Sequence, residues 1–476
     1  MAAPVTTLTG HVIDGQEVHG GSQRIEVVNP ATAEIITSVP AGTVADVDAA
    51  VRAAGAAFRD WSRTTVDERL AVIRRIVAEL TARREDLAAT ITAEMGSPIS
   101  FSLAVQAGTP IATATGVAEL LAGDFSFTEE IGNSLVLREP IGVVGAITPW
   151  NYPLHQIVAK VVPALAAGNT VVLKPSEISP LSAGLFMAVL QAAGVPSGVV
   201  NLVHGTGPVV GEALSAHPGV DMISFTGSTR AGKLVSQAAA GTVKRVALEL
   251  GGKSANVILD DADLTAAVKK GIANTYNNCG QTCTAWTRML VPADKHDEVV
   301  ELAVAASGKY SPADPTDPNT RIGPVSSDLQ RTRVLGYVNK GIDEGATVAC
   351  GGAETSGLPS PGAYVQPTVF SNVRPEMTIA QEEIFGPVLS ILPYRTEDEA
   401  VAIANSTIYG LAGAVFSADQ DRALSVAKRL RAGQVSVNGG TFNPLAPFGG
   451  YKQSGNGREL GRYGIEEFTE LKSIQR

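Results

Sequence analysis

Five apolar runs between positions 142 and 250 decide how this chain folds: Gly-Val-Val-Gly-Ala-Ile-Thr (Gly142–Thr148), Thr-Val-Val-Leu (Thr170–Leu173), Val-Val-Asn-Leu-Val (Val199–Val203), Met-Ile-Ser-Phe-Thr (Met222–Thr226) and Arg-Val-Ala-Leu-Glu-Leu (Arg245–Leu250). They are separated by stretches of helical spacing punctuated by Gly and Pro. Short apolar runs of this kind belong to strands covered on both faces, so the pattern predicts βαβ units and a buried parallel sheet. From about residue 252 to 440 the alternation repeats and predicts a second α/β lobe.

On the N-terminal side, Thr43 with Asp46 three residues on reads as a helix start, with Val47, Val51 and Phe58 on one face. A longer helix is expected from about Val66, with Leu70, Ile73, Val77 and Leu80 inward, stopping near Gly96 with Pro98 beyond. Two segments fit neither lobe. Phe125–Arg138 reads as a hairpin around Gly132–Asn133, and the tail after Gly464 stands apart; polar-alternating strands of this sort often pair with another subunit.

The chain has 476 residues, 45% hydrophobic and 18% charged, room for two or three domains. Its 37 basic and 47 acidic residues leave a net charge of −10, which argues against nucleic-acid or anionic-membrane surfaces. Met1–Gly20 lacks a basic head followed by an apolar run, and no apolar stretch is long enough for a membrane span. Three cysteines are too few for a disulfide framework. A reduced, cytoplasmic setting is the expectation.

Several short stretches carry chemistry. In Asn277-Asn278-Cys279-Gly280-Gln281-Thr282-Cys283 a thiol is a poor nucleophile unless a base or a positive environment assists it; Cys283 taken alone reads first as a buried apolar residue. No second Cys/His pair follows at zinc spacing, so no metal is expected. Glu249, at the end of an apolar strand and followed by Gly251-Gly252, is costly to bury and acquires the raised pKa of a general base, unless it caps a helix or pairs with Lys253. Asn151, between Pro149 and Pro153, offers an uncharged amide to an oxyanion or makes an Asx turn. Lys174 and Glu177 follow a strand where open α/β sheets bind ligands. Gly227 and Ser228, in a strand–glycine–helix turn, suit a pyrophosphate.

In order and wording these stretches resemble the aldehyde dehydrogenase superfamily, from about residue 25 to Lys472. The resemblance implies an α/β fold: a Rossmann-like cofactor-binding domain (residues 1–121 and 141–251), an α/β catalytic domain (252–447) and a small β oligomerisation element (122–140 and 464–476), assembled as a homodimer or homotetramer. It implies Cys283 as nucleophile, Glu249 as base and Asn151 with the Cys283 N–H as oxyanion donors. Trp150, Lys174, Glu177, Gly227, Ser228, Glu383 and Phe385 become cofactor contacts, with Gln330 and Arg333 aligning more loosely. An aldehyde substrate and NAD are implied; NADP is possible, and Glu177 favours NAD. Tyr152, His155, Gln156, Thr282, Thr284 and Phe442 are expected to line the substrate tunnel, with Trp286 near Cys283 but of unknown direction. This mix suits a neutral, medium-sized aldehyde. Glu249 argues against a CoA-acylating relative, and the cofactor-side residues argue against a cysteine esterase or a catalytically idle protein on this fold.

Overall fold

The computed structural model describes residues 8–123 and 125–476. Residues 1–7 of the stretch read for a leader, and Asp124 within the 122–140 element, lie outside them.

The five apolar runs form strands Val143–Ile147, Thr170–Lys174, Val200–Leu202, Met222–Thr226 and Arg245–Glu249. They lie parallel, in the spatial order Arg245–Glu249, Met222–Thr226, Val143–Ile147, Thr170–Lys174, Val200–Leu202. Every residue of Val143–Ile147 and Thr170–Lys174 is buried, which is why neither strand alternates. His11–Ile13 and Gln16–Val18 complete one edge, and the two-residue strand Gly455–Asn456 closes the other against Leu248 and Glu249. The order changes direction between sequence neighbours at Val143–Ile147, so the carboxyl ends of these strands open onto a crevice.

The second lobe holds a seven-stranded sheet running Thr347–Cys350, Thr368–Ser371, Val388–Tyr394, Arg288–Pro292, Ala255–Ile258, Ala412–Phe416, Gln434–Val437. All its pairings are parallel except that of Thr347–Cys350. Thr128–Ile131 and Ser134–Pro140 make the expected hairpin around Gly132–Asn133, and the tail strand Thr469–Gln475 adds to Ser134–Pro140 as a third strand.

Thr43 caps the Val44–Trp61 helix in a capping box with Asp46. The long helix expected from Val66 is two: Val66–Ala82 and Arg84–Met95. Arg83 leaves helical geometry at φ −103°, ψ 14°, its N–H bonding Glu79 and Thr81 carbonyls. The new helix opens with Glu85 and Asp86, whose charge suits its N-terminus. Leu70, Ile73 and Leu80 are buried as expected, Val77 is partly buried and packs against the same core, and Ile76 is buried beside it. Gly96 ends the second helix at φ 84°. Among the described residues no helix is long and apolar enough to cross a membrane.

Candidate active site

The carboxyl ends of the parallel strands bring the candidate residues together. Arg245–Glu249 delivers Glu249, Met222–Thr226 leads into Gly227 and Ser228, and Val143–Ile147 leads through Pro149 to Trp150 and Asn151. Thr170–Lys174 ends on Lys174. From the other lobe, the turn after the Leu264–Tyr276 helix carries Cys283.

That turn is unusual. Asn278, Cys279 and Gly280 all have positive φ (52°, 59° and 75°), a run that L-residues adopt only when their surroundings impose it. A polar network does so. Gln106 Nε2 donates to the Asn151 carbonyl at 2.8 Å and to Asn278 Oδ1 at 3.2 Å; Asn278 Nδ2 donates to the Asn151 carbonyl at 2.8 Å. The buried Gln281 side chain bonds the Asn278 carbonyl and the Ser326 N–H. Gly280 has no room for a side chain, since a Cβ would overlap the Gly386 backbone. Gln106, Asn278 and Gln281 escaped the sequence reading; the one available signal was two asparagines beside the cysteines, a residue type that tolerates left-handed backbone.

Asn151 is buried, and its amide donates to the Gln281 carbonyl at 3.0 Å, which leaves one further N–H on that nitrogen. Cys279 is buried, its Sγ accepting from the Gly323 N–H at 3.3 Å. Cys283 is partly exposed. Burial, then the carboxylates of Glu383 and Glu249, push its thiol well above the usual range. Gly252 lets the segment after Glu249 pack directly against the Cys283 backbone, because a Cβ there would overlap the Cys283 carbonyl.

Glu249 is 5% exposed, and neither of its oxygens has a hydrogen-bond partner among the described residues. It does not pair with Lys253, which lies instead by Arg288, Glu383 and Glu382. Burial and the neighbouring Glu459 raise its pKa well above the carboxylate range, against the pull of Lys160 and Arg458. Lys160 and Glu459 form a buried ion pair beside it.

Two cavities meet at Cys283. One, about 140 Å³, is lined by Trp150, Gly227, Ser228, Glu383 and Phe385. Trp150 and Phe385 stand edge to face, ring centres 5.3 Å apart. Glu383 accepts from the Gly252 N–H at 2.9 Å. Gln330 and Arg333 donate to the carbonyls of Phe385 and Glu383, bracing that loop. Thr226 Oγ1, on the cavity wall, is buried without a partner. Ser228 caps the Thr229–Ala239 helix, its hydroxyl accepting from the Ala231 N–H. Lys174 and Glu177 sit outside this lining and bond one another at 3.0 Å. An orphaned hydroxyl, a helix N-terminus, two aromatic walls and a carboxylate make a donor set that fits a dinucleotide.

The other cavity, about 560 Å³, contains Tyr152, His155, Gln156, Thr282, Thr284 and Phe442 as expected, with Phe101, Ala104, Gly108 and Phe448 among its apolar walls. Tyr152 Oη and Thr282 Oγ1 bond each other at 2.8 Å. Trp286 turns away to pack on Phe416 in the core of the second lobe. Among the described residues no cluster of three or more His, Cys, Asp or Glu stands where it can hold a metal ion.

The chain compares closely with known proteins. Residues 18–474 match the model of the aldehyde dehydrogenase family. A 3-succinoylsemialdehyde-pyridine dehydrogenase of Pseudomonas sp is 52% identical over 97% of each chain. A mutant of Aldehyde Dehydrogenase C from Pseudomonas syringae, solved with NAD+ and octanal, is 51% identical and superposes with a TM-score of 0.97 over 98% of this chain and 97% of that one. A Mycobacterium tuberculosis aldehyde dehydrogenase complexed with NAD+ is 43% identical, with a TM-score of 0.95 over 98% of each chain. With site geometry, fold and sequence in agreement, this chain belongs to the aldehyde dehydrogenase family, enzymes that oxidise aldehydes to carboxylic acids with NAD(P)+.

Proposed function

We propose that Cys283 is the nucleophile of this NAD(P)+-dependent aldehyde dehydrogenase. The observation that carries the reading is that Cys283 belongs to the walls of both cavities, so a group entering from either side meets the other at this sulfur. Glu383 and Phe385 hold the cofactor's nicotinamide-side ribose and ring with Trp150 beside them, Gly227 and Ser228 its pyrophosphate, and Lys174 with Glu177 the adenosine ribose.

The Cys283 thiol releases its proton to water reaching this partly exposed side chain as the sulfur bonds to the aldehyde carbon, making a thiohemiacetal. Its oxyanion takes hydrogen bonds from the free N–H of the Asn151 amide and from the Cys283 backbone N–H. NAD+, when bound in the cleft, would supply the acceptor for the hydride this carbon must lose, which leaves a thioester on Cys283. Glu249 then takes a proton from water as the water oxygen attacks the acyl carbon; the carbon–sulfur bond breaks and the acid leaves. A carboxylate with raised pKa and no protein donor on its oxygens is suited to hold that water.

The tunnel carries no lysine or arginine among its lining residues and suits a neutral, medium-sized aldehyde, as octanal is for the Pseudomonas syringae relative. Glu177 favours NAD+, because a 2′-phosphate would bring about −2 charge against its carboxylate. The exposed three-stranded sheet would serve dimer or tetramer assembly, and a cytoplasmic setting keeps the thiols reduced. NADH formation across an aldehyde panel tests the reading: wild type turns over, Cys283→Ala abolishes both dehydrogenase and esterase activity, and Cys279→Ser and Cys350→Ser keep most of theirs. Cofactor reduction by Cys283→Ala at a comparable rate would overturn it.

A further inference from the structure

One wall of the tunnel contains an irregular turn of helix. Over Ser102–Gln106 the backbone widens to a π-helical turn, and the Ala107 N–H reaches back five residues to the Ser102 carbonyl at 2.8 Å. Wide turns of this kind are rare and cluster at functional sites. Phe101, Ala104 and Val105 line the tunnel. Gln106, the next residue, lines neither cavity and is fully buried.

Its side chain points at the loops that carry the chemistry. Gln106 Nε2 has two N–H groups and two acceptors, the Asn151 carbonyl at 2.8 Å and Asn278 Oδ1 at 3.2 Å. Asn278 Nδ2 donates to the same Asn151 carbonyl at 2.8 Å and to the Gln281 carbonyl at 3.3 Å. That Gln281 carbonyl also accepts from the Asn151 side-chain amide at 3.0 Å. The bonds close into a ring that grips Asn151 twice, once by its backbone and once by its side chain. Only the second N–H of the Asn151 amide is left over, and the ring sets its direction. The same ring holds Asn278, where the left-handed run leading to Cys283 begins.

We propose that Gln106 is a positioning residue: by tying the Asn151 carbonyl to Asn278, it aims the Asn151 amide at the oxyanion formed on Cys283. It touches neither substrate nor cofactor and acts through Asn151. This rests on the reading of Asn151 as an oxyanion donor. Such a donor works by standing in place before charge develops, and a misplacement of about 1 Å can cost about a hundredfold in rate.

A double-mutant cycle tests the proposal. Wild type, Gln106→Met, Asn151→Ala and the double variant are compared by steady-state NADH formation from octanal and by hydrolysis of p-nitrophenyl acetate. Melting midpoints are recorded for each. Methionine has similar length and no donor. Gln106→Met should lower kcat about ten- to hundredfold while KM stays within about threefold, the mark of an interaction made in the transition state. Ester hydrolysis should slow in parallel, because it passes through the same oxyanion. Added to Asn151→Ala, Gln106→Met should cost less than about threefold more, since no donor remains to be aimed. Gln106→Asn, which keeps a donor on a shorter stem, should retain more kcat than Gln106→Met. A full further loss in the double variant, or a kcat that follows the melting midpoint across the Gln106 variants rather than the presence of a donor, would overturn the proposal. A slow Asn151→Ala beside an unchanged Gln106→Met overturns the proposal alone and leaves the oxyanion reading standing. An Asn151→Ala that turns over like wild type breaks that reading, and the proposal falls with it.

Discussion

Two carboxylates lie equally out of reach of water in this molecule, and they are handled in opposite ways. Glu94, near the end of the Arg84–Met95 helix, is 0% exposed and accepts from the Leu181 N–H at 2.7 Å, the Ser182 N–H at 3.0 Å and the Ser182 hydroxyl. Its oxygens are used up at the N-terminus of the Leu181–Ala192 helix, where backbone donors need acceptors. Glu249 is 5% exposed and accepts nothing among the described residues. Leaving a buried acceptor unmade costs about 1–3 kcal/mol, with no structural return. The contrast separates a carboxylate that braces the fold from one left ready for a molecule that comes and goes.

The largest expected effect tests the second of these. Glu249→Gln should lower steady-state turnover by about 10²–10⁴-fold while a first burst of NADH survives, since the base is needed to release the acyl group. Unchanged steady-state turnover would take Glu249 out of the mechanism and dissolve the contrast. Glu94→Ala should do the reverse: it orphans two backbone N–H groups, lowers stability by about 3 kcal/mol, and moves the denaturation midpoint while the folded fraction stays active. If both variants lost activity and stability together, the two carboxylates would not be different in kind.

The charged pair beside Glu249 sharpens the comparison. Glu459 raises the Glu249 pKa and Lys160 lowers it. A base held protonated above the usual carboxylate range is lost as pH falls through that raised pKa, so kcat should fall on its acid side. Glu459→Gln removes the like charge and should move the acidic limb to lower pH; Lys160→Met should move it to higher pH. Limbs that stay in place would mean that another group sets them. The smallest effect lies at the far end of the cleft, where Glu177→Ser should narrow the preference for NAD+ over NADP+ by about tenfold or more, as expected for a charge contact of about 1–3 kcal/mol in a partly dry site. Equal or better efficiency with NADP+ in the wild type would show that Glu177 turns outward.

The sequence reveals what is local. The strands Met222–Thr226 and Arg245–Glu249 are legible because burial on both faces erases alternation, and the candidates at their ends follow from where such strands stop. Thr43 is legible because a capping box spans only three residues. The Gln106–Asn151–Asn278–Gln281 network is not, since it joins three distant elements and each residue alone looks ordinary. Lys160 and Glu459 are 299 positions apart, so the pair that tunes Glu249 exists only in the fold. Arg83 misled because apolar spacing continues across the break, and only hydrogen bonding shows the turn.

The backbone of Gly280 lies directly against that of Gly386, one residue past Phe385, which itself holds a left-handed φ of 62°. The segment bearing the sulfur and the segment forming the aromatic wall of the cofactor cleft are therefore butted together with no side chain as a cushion. Backbone in rigid contact transmits displacement rather than absorbing it. Pressure on the cleft wall should therefore be felt at the thiol, and alkylation of the thiol should push back on the wall. Gly280→Ala would drive a wedge into that joint, and its damage should register in cofactor affinity and thiol reactivity at once.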